Sequence, residues 1–180
     1  MKRTIVLSIA ALALAGCSAK SALVNRPTAT VGTTATTDTT PQFVAHVGDL
    51  LSLPGQSGAT AAVTLVAVTD PAQADVQPFQ PAAGKRFVSA TFTILDTGPA
   101  ITGDANNDAT LIGSDGQTYT ADFDTLAGCT NFAHGVYQLG HGESSTGCVA
   151  FQVPIGVTVS KVKYSPDSGF SGDFGEWLVP

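Results

Sequence analysis

The sequence predicts an all-β protein built as an antiparallel two-sheet sandwich, and three observations predict it. Helix-forming residues are scarce: one Met, two Glu and few Leu or Lys stand among 180 residues, while Thr and Val abound. About seven short apolar runs, several of them alternating, are separated by Gly, Pro and Asp turn signals, as in a sandwich. No stretch of useful length repeats apolar residues at i, i+3, i+4 and i+7. Apolar residues make up 43% of the chain, enough for one packed domain.

The elements follow in order. Met1, Lys2 and Arg3 form a basic head before an uncharged apolar stretch over residues 4–15. That stretch is shorter than the roughly 20 residues needed to cross a bilayer, and it matches a secretory leader. Its end, Leu14-Ala15-Gly16-Cys17, resembles the lipobox of bacterial lipoproteins. The resemblance implies cleavage after residue 16, a diacylglycerol on the Cys17 sulfur and often a further fatty acid on the new amino terminus. Two or three acyl chains anchor firmly where one holds marginally. Residues 17–41 are Thr-rich, broken by Pro27, Gly32 and Pro41, and without apolar periodicity. They read as a flexible tether, bare or O-glycosylated, with an end-to-end distance of roughly 25–30 Å. The folded domain is assigned to residues 42–180.

Within it, residues 44–53 read as a first strand ending at Pro54-Gly55, and residues 61–68 as a second that stops at Asp70-Pro71. Residues 87–95 alternate with period two: Val88, Ala90, Phe92 and Ile94 on one face, mostly hydroxyls on the other. Residues 111–120 read as a hairpin turning at Asp115-Gly116. Residues 148–153 set Val149, Phe151 and Val153 against Cys148, Ala150 and Gln152. Residues 157–164 and Trp177-Leu178-Val179 complete the series, the aromatic at the end implying a last strand docked on the core.

Several of these motifs form an ordered series: the Asp115-Gly116 hairpin, residues 142–153, and Glu176-Trp177-Leu178-Val179-Pro180. With Val47-Gly48-Asp49 and the strand after Gly84-Lys85, the series resembles the immunoprotective extracellular antigen family of mycobacteria. It is similar also to Ig-like domains on Gram-positive lipoproteins. Over residues 45–180 the resemblance implies an immunoglobulin-like β-sandwich outside the cytoplasmic membrane, and it implies no catalytic residues. The lipobox, the tether and the cysteine pair depart from the secreted antigen, so free secretion does not carry over.

The charge pattern excludes one class of partner. From residue 42 onward, four basic residues (Lys85, Arg86, Lys161, Lys163) face thirteen Asp and Glu, a formal charge of −9. Such a body repels phosphate backbones, so no nucleic-acid binding is expected.

Chemical motifs are few. There is no Gly-x-Ser-x-Gly elbow, no His-Glu-x-x-His pair and no phosphate-binding glycine loop. Asp122 and Asp124 share a strand face as a solvated edge rather than an acid–base couple. Asp104, Asn106, Asp108 and Asp115 fall on positions 1, 3, 5 and 12 of a calcium loop, but Ala109 occupies the position that wants Gly. Cys129, His134, His141 and Cys148 offer zinc-type ligands at a spacing unlike any zinc finger. With Cys17 assigned to lipid, Cys129 and Cys148 remain as an even pair, and export favours a disulfide between them. Two free thiols or a zinc site with His134 and His141 are the alternatives. No cofactor and no metal are expected.

These readings lead to a non-enzymatic binding or scaffolding module, held at the outer face of the cell membrane by Cys17 and meeting an envelope partner through its loops. The alternative is a lipoprotein that binds calcium or a small ligand and serves a transporter or cell-wall enzyme.

Overall fold

The computed structural model describes residues 23–24, 44–75, 80–130, 132 and 135–180. The leader over 1–16, the lipid site at Cys17 and all of the 17–41 tether except Leu23–Val24 lie outside the described residues. The strands are β1 (Leu23–Val24), β2 (Ala45–His46), β3 (Leu50–Pro54), β4 (Thr60–Ala72), β5 (Lys85–Asp96) and β6 (Ile101–Asp104). A single turn of helix, α1 (Ala105–Asp108), follows. Then come β7 (Ala109–Gly113), β8 (Thr118–Asp122), β9 (Val136–Leu139), β10 (Ser144–Pro154), β11 (Val159–Tyr164) and β12 (Gly175–Leu178).

Two layers face one another. The first runs β1-β3-β4-β5-β10, the second β8-β7-β11-β12-β2, and β8 closes one side by pairing with both β10 and β7. All neighbours are antiparallel except β2, which lies parallel to β12. β6 and β9 form a separate two-stranded ribbon. The β-sandwich predicted from the sequence is therefore the fold observed.

The alternation read from the sequence fills the space between the layers. Val88, Ala90, Phe92 and Ile94 of β5 and Val149, Phe151 and Val153 of β10 meet Val162, Tyr164 and Trp177 from the opposite layer, all fully buried. Phe92 packs between Tyr164 and Trp177, tilted against the first and edge-on to the second, with ring centroids 5.1 and 6.2 Å away. Burying such aromatics contributes the largest share of apolar stabilisation per residue. Trp177 also donates its indole N–H to the Asp49 carbonyl at 2.8 Å, which satisfies its one polar atom. The other face of this layer carries a smaller cluster, Ala72 of β4, Phe87 of β5 and Ala150 of β10, roofed by Leu126 and Cys129.

Three differences from the sequence reading have physical causes. The single strand expected over 44–53 is two, because Gly48 adopts φ +96° and Asp49 accepts the His46 N–H, turning the chain from one layer to the other. β4 continues past Asp70-Pro71 to Ala72, with its register shifted between Thr69 and Ala72. There Asp70 takes both Nε and a terminal nitrogen of Arg86, at 2.6 and 2.7 Å, while Arg86 also donates to the carbonyls of Pro154 and Val157. The elements β6, β9 and α1 have no counterpart in the sequence reading, being four residues each and too short to show a period.

Candidate functional site

The polar centre of the molecule lies where α1, β9 and β11 meet the turn Pro166–Gly169. Asp104 starts it. Its side chain accepts the backbone N–H of Asn106 at 3.0 Å and the Asn107 amide at 2.9 Å, capping α1 as a short polar residue does. The resulting turn of helix points Asp108 inward, where it is only 2% exposed. One carboxyl oxygen of Asp108 accepts the phenol of Tyr164 at 3.0 Å and that of Tyr137 at 3.3 Å. The other accepts the backbone N–H of Ser168 at 2.7 Å. Burial pushes the Asp108 carboxyl up to about 6, against the three hydrogen bonds that favour its charged form. Burial likewise raises both tyrosines well above their ordinary range. Gly103 is needed here because any Cβ at that position would strike the Tyr137 ring.

Asp108 holds down a strained turn. Asp167 and Ser168 adopt φ +56° and +54°, and Ser57 in the neighbouring β3–β4 turn adopts +56°. These three are the non-glycine residues with positive φ among those described. Each such conformation costs on the order of 1 kcal/mol. The two turns are fastened together, because Asp167 accepts the Gln56 N–H at 2.6 Å. Past Gly169 the chain presents Phe170 at 82% exposure.

Beside this turn runs an open groove of about 300 Å³ across the outer face of the second layer. Its floor is set by register: Lys163 stands between Thr110 of β7 and Glu176 of β12, with Ile112 and Thr118 in the next row. Its end wall comes from α1 and the strained turn, through Asn107, Ser165 and Ser168. Lys161 pairs with Glu176 at 3.1 Å, and the Lys163 ammonium lies 4.1 Å from the centre of the Phe174 ring.

The residues singled out in the sequence are distributed otherwise. Cys129 and Cys148 are joined as a disulfide, with Cα atoms 5.9 Å apart, fixing the 123–130 segment over the outer face of β10. His141 is exposed and contacts the Gly98 carbonyl through Nδ1, while His134 lies outside the described residues. The calcium pattern is dispersed. Asp104 is occupied as a cap and Asp108 is enclosed. Asp115 sits across β7 in the far turn, where hydrogen bonds from Tyr119 and Gln117 hold its carboxyl below the usual range. Asp122 binds Gln152 and the Asp124 backbone, and burial followed by the Asp122 charge raises the carboxyl of Asp124. Among the described residues, no three His, Cys, Asp or Glu are placed to hold a metal ion. The sequence reading missed Tyr137, Tyr164 and Ser168, whose link to Asp108 spans 29 to 60 residues and leaves no local signature.

Comparison with known proteins places this architecture. No curated protein matches the chain. Among solved structures it is similar to the secreted protein MPT63 of Mycobacterium tuberculosis, at 17% identity and a TM-score of 0.51, over 78% of this chain and all of that one. It is similar also to the candidate lipoprotein ycdA of Bacillus subtilis (15% identity, TM-score 0.49, 66% of this chain), but spans only 36% of that chain. A β-sandwich protein of Clostridium difficile matches at 10% identity and a TM-score of 0.43, over 81% of this chain and all of that one. The mycobacterial match shows the fold, and it is the kind of relative the motif series pointed to. The family model described as "Domain of unknown function (DUF4352)" matches residues 56–174, more than half of the sequence, and on that match the chain belongs to the DUF4352 family.

Proposed function

We propose that the protein is a non-catalytic binding module displayed outside the cytoplasmic membrane and anchored by lipid on Cys17. The observation that carries the binding role is the pair of strained turns locked together by Asp167 and held by Asp108. Strain of this kind persists only where the surroundings over-determine it, and it collects at recognition and functional sites. Here it buttresses the end of the groove and presents Phe170, a large apolar side chain, to solvent. A rigid loop loses little freedom on binding, which favours recognition. The basic head, short apolar stretch and Cys17 context support the address, and a disulfide suits an oxidising compartment.

Small-ligand binding, the second reading, is favoured by the groove itself. Calcium gains no support from the placement of Asp104, Asn106, Asp108 and Asp115. Asp108 has the elevated pKa of an acid–base group. Both its oxygens, however, are already taken by the two phenols and the Ser168 N–H, so its role is to support the turn.

The test uses a photo-crosslinking phenylalanine analogue at position 170 in intact cells. The same analogue at Ile155, exposed at the opposite end of β11, is the control. A discrete light-dependent adduct from 170 and none from 155 is expected. Identical patterns from both would remove the binding end from the proposal.

A further inference from the structure

We propose that the groove across β7, β8, β11 and β12 binds an uncharged, hydroxyl-dense ligand, namely a saccharide chain. It rests on the binding role proposed above and names the ligand for that site. The lining selects the class. Thr110, Thr118, Ser165 and Ser168 each bring a hydroxyl that both donates and accepts, and the Asn107 amide also does both. Sugar hydroxyls have the same dual demand.

The charges at the groove are few. Lys161 is paired with Glu176, Lys163 lies over the Phe174 ring, and Asp108 is turned inward to its two phenols. A cationic ligand finds Glu176 already taken by Lys161, and an anionic one meets a single ammonium on a domain whose formal charge is −9, which repels it. Ile112 is an isolated apolar side chain on this floor, so an apolar ligand would desolvate hydroxyls without replacing their bonds to water. What remains complementary is a neutral molecule rich in hydroxyl groups.

Two phenyl rings complete the fit. The Phe174 ring lies under the ammonium of the groove residue Lys163, and Phe170, 82% exposed, is the next residue in the chain after the groove residue Gly169. The C–H face of a sugar ring covers such a ring while its hydroxyls reach the polar floor. The groove is open, which suits a chain that continues beyond the site.

The experiment is calorimetric titration of the full chain with neutral hexasaccharides (cellohexaose, maltohexaose and xylohexaose). Hexagalacturonate serves as the charged counterpart. At least one neutral chain should bind saturably, and hexagalacturonate about tenfold or more weakly. Thr118→Trp fills the groove from an exposed strand position and should abolish binding. Phe170→Ala should weaken it about tenfold and, being on the surface, keeps the test alive if the tryptophan variant misfolds. Three results overturn the assignment: no neutral chain binds, hexagalacturonate binds more tightly, or binding survives a folded Thr118→Trp. A protein adduct from position 170 with no saccharide bound would discard the ligand class and leave the binding role standing. Failure of both experiments discards both.

Discussion

Asp108 illustrates how far a single residue's meaning depends on distant chain. Its spacing from Asp104 suggests a metal loop, yet Tyr137 and Tyr164, 29 and 56 residues on, enclose it as a structural acid. Its carboxyl, raised by burial to about 6, lies above the ordinary aspartate value of about 4, so folding favours the protonated form. The stabilisation from this group is therefore full below about pH 4 and is lost as the pH rises through 6. The difference of about 2 units corresponds to roughly 3 kcal/mol at most. Urea midpoints should accordingly increase as pH falls from 7.5 to 5. Asp108→Asn should flatten that dependence and stabilise the domain at pH 7.5, its amide donating to the phenols while its oxygen keeps the Ser168 N–H. A wild-type midpoint that does not change over this window would show that Asp108 does not titrate there. Asp115 opposes this trend, but its lowered carboxyl acts only at more acid pH.

Among the elements, the long alternating strands are legible because each buries one face, and period two records that directly. β5 and β10 match the pattern read from residues 87–95 and 148–153. The split at Gly48 escapes the pattern, since Ala45 and Val47 before the turn and Leu51 and Leu53 after it keep one apolar parity that the backbone abandons. β12 is short but central to the second layer, lying between β11 and β2, and it carries the fully buried Trp177. Truncation after Gly175 should cost at least the roughly 3–5 kcal/mol typical of losing a buried tryptophan, read as a large drop in melting temperature. An unchanged melting temperature would mean that the tail does not pack. The Cys129–Cys148 bridge closes a ring with a sequence separation of 19. Replacing both cysteines with alanine should destabilise the domain by about 3 kcal/mol in the chain-entropy account. In protein taken from its native envelope without reductant, neither cysteine should accept an alkylating agent. Double alkylation there would sink the bridge.

At the scale of the whole molecule, sandwich and acidic surface are legible from composition and turn spacing, because both are sums over many residues. The groove is not, since α1, β7, β8, β11, β12 and the 165–169 turn each supply only one to three of its side chains. The proposed membrane address rests on one atom, the sulfur of Cys17. Cys17→Ala should shift the protein from the membrane fraction to the soluble one, and full retention would place the anchor elsewhere. Finally, β1 changes how such an anchor would act. Leu23 and Val24 add to the edge of β3 opposite Ser52 and Leu51, which leaves five residues between Cys17 and the folded body. Fully extended, the six Cα steps from Cys17 to Leu23 reach about 20 Å, so with lipid on Cys17 β1 would work as a short leash. The edge of β3 would then be kept close to the lipid headgroups. Leu23→Pro with Val24→Gly should let the domain rise, measurable as a longer fluorescence-transfer distance from the bilayer. An unaltered distance would show that the leash lies elsewhere.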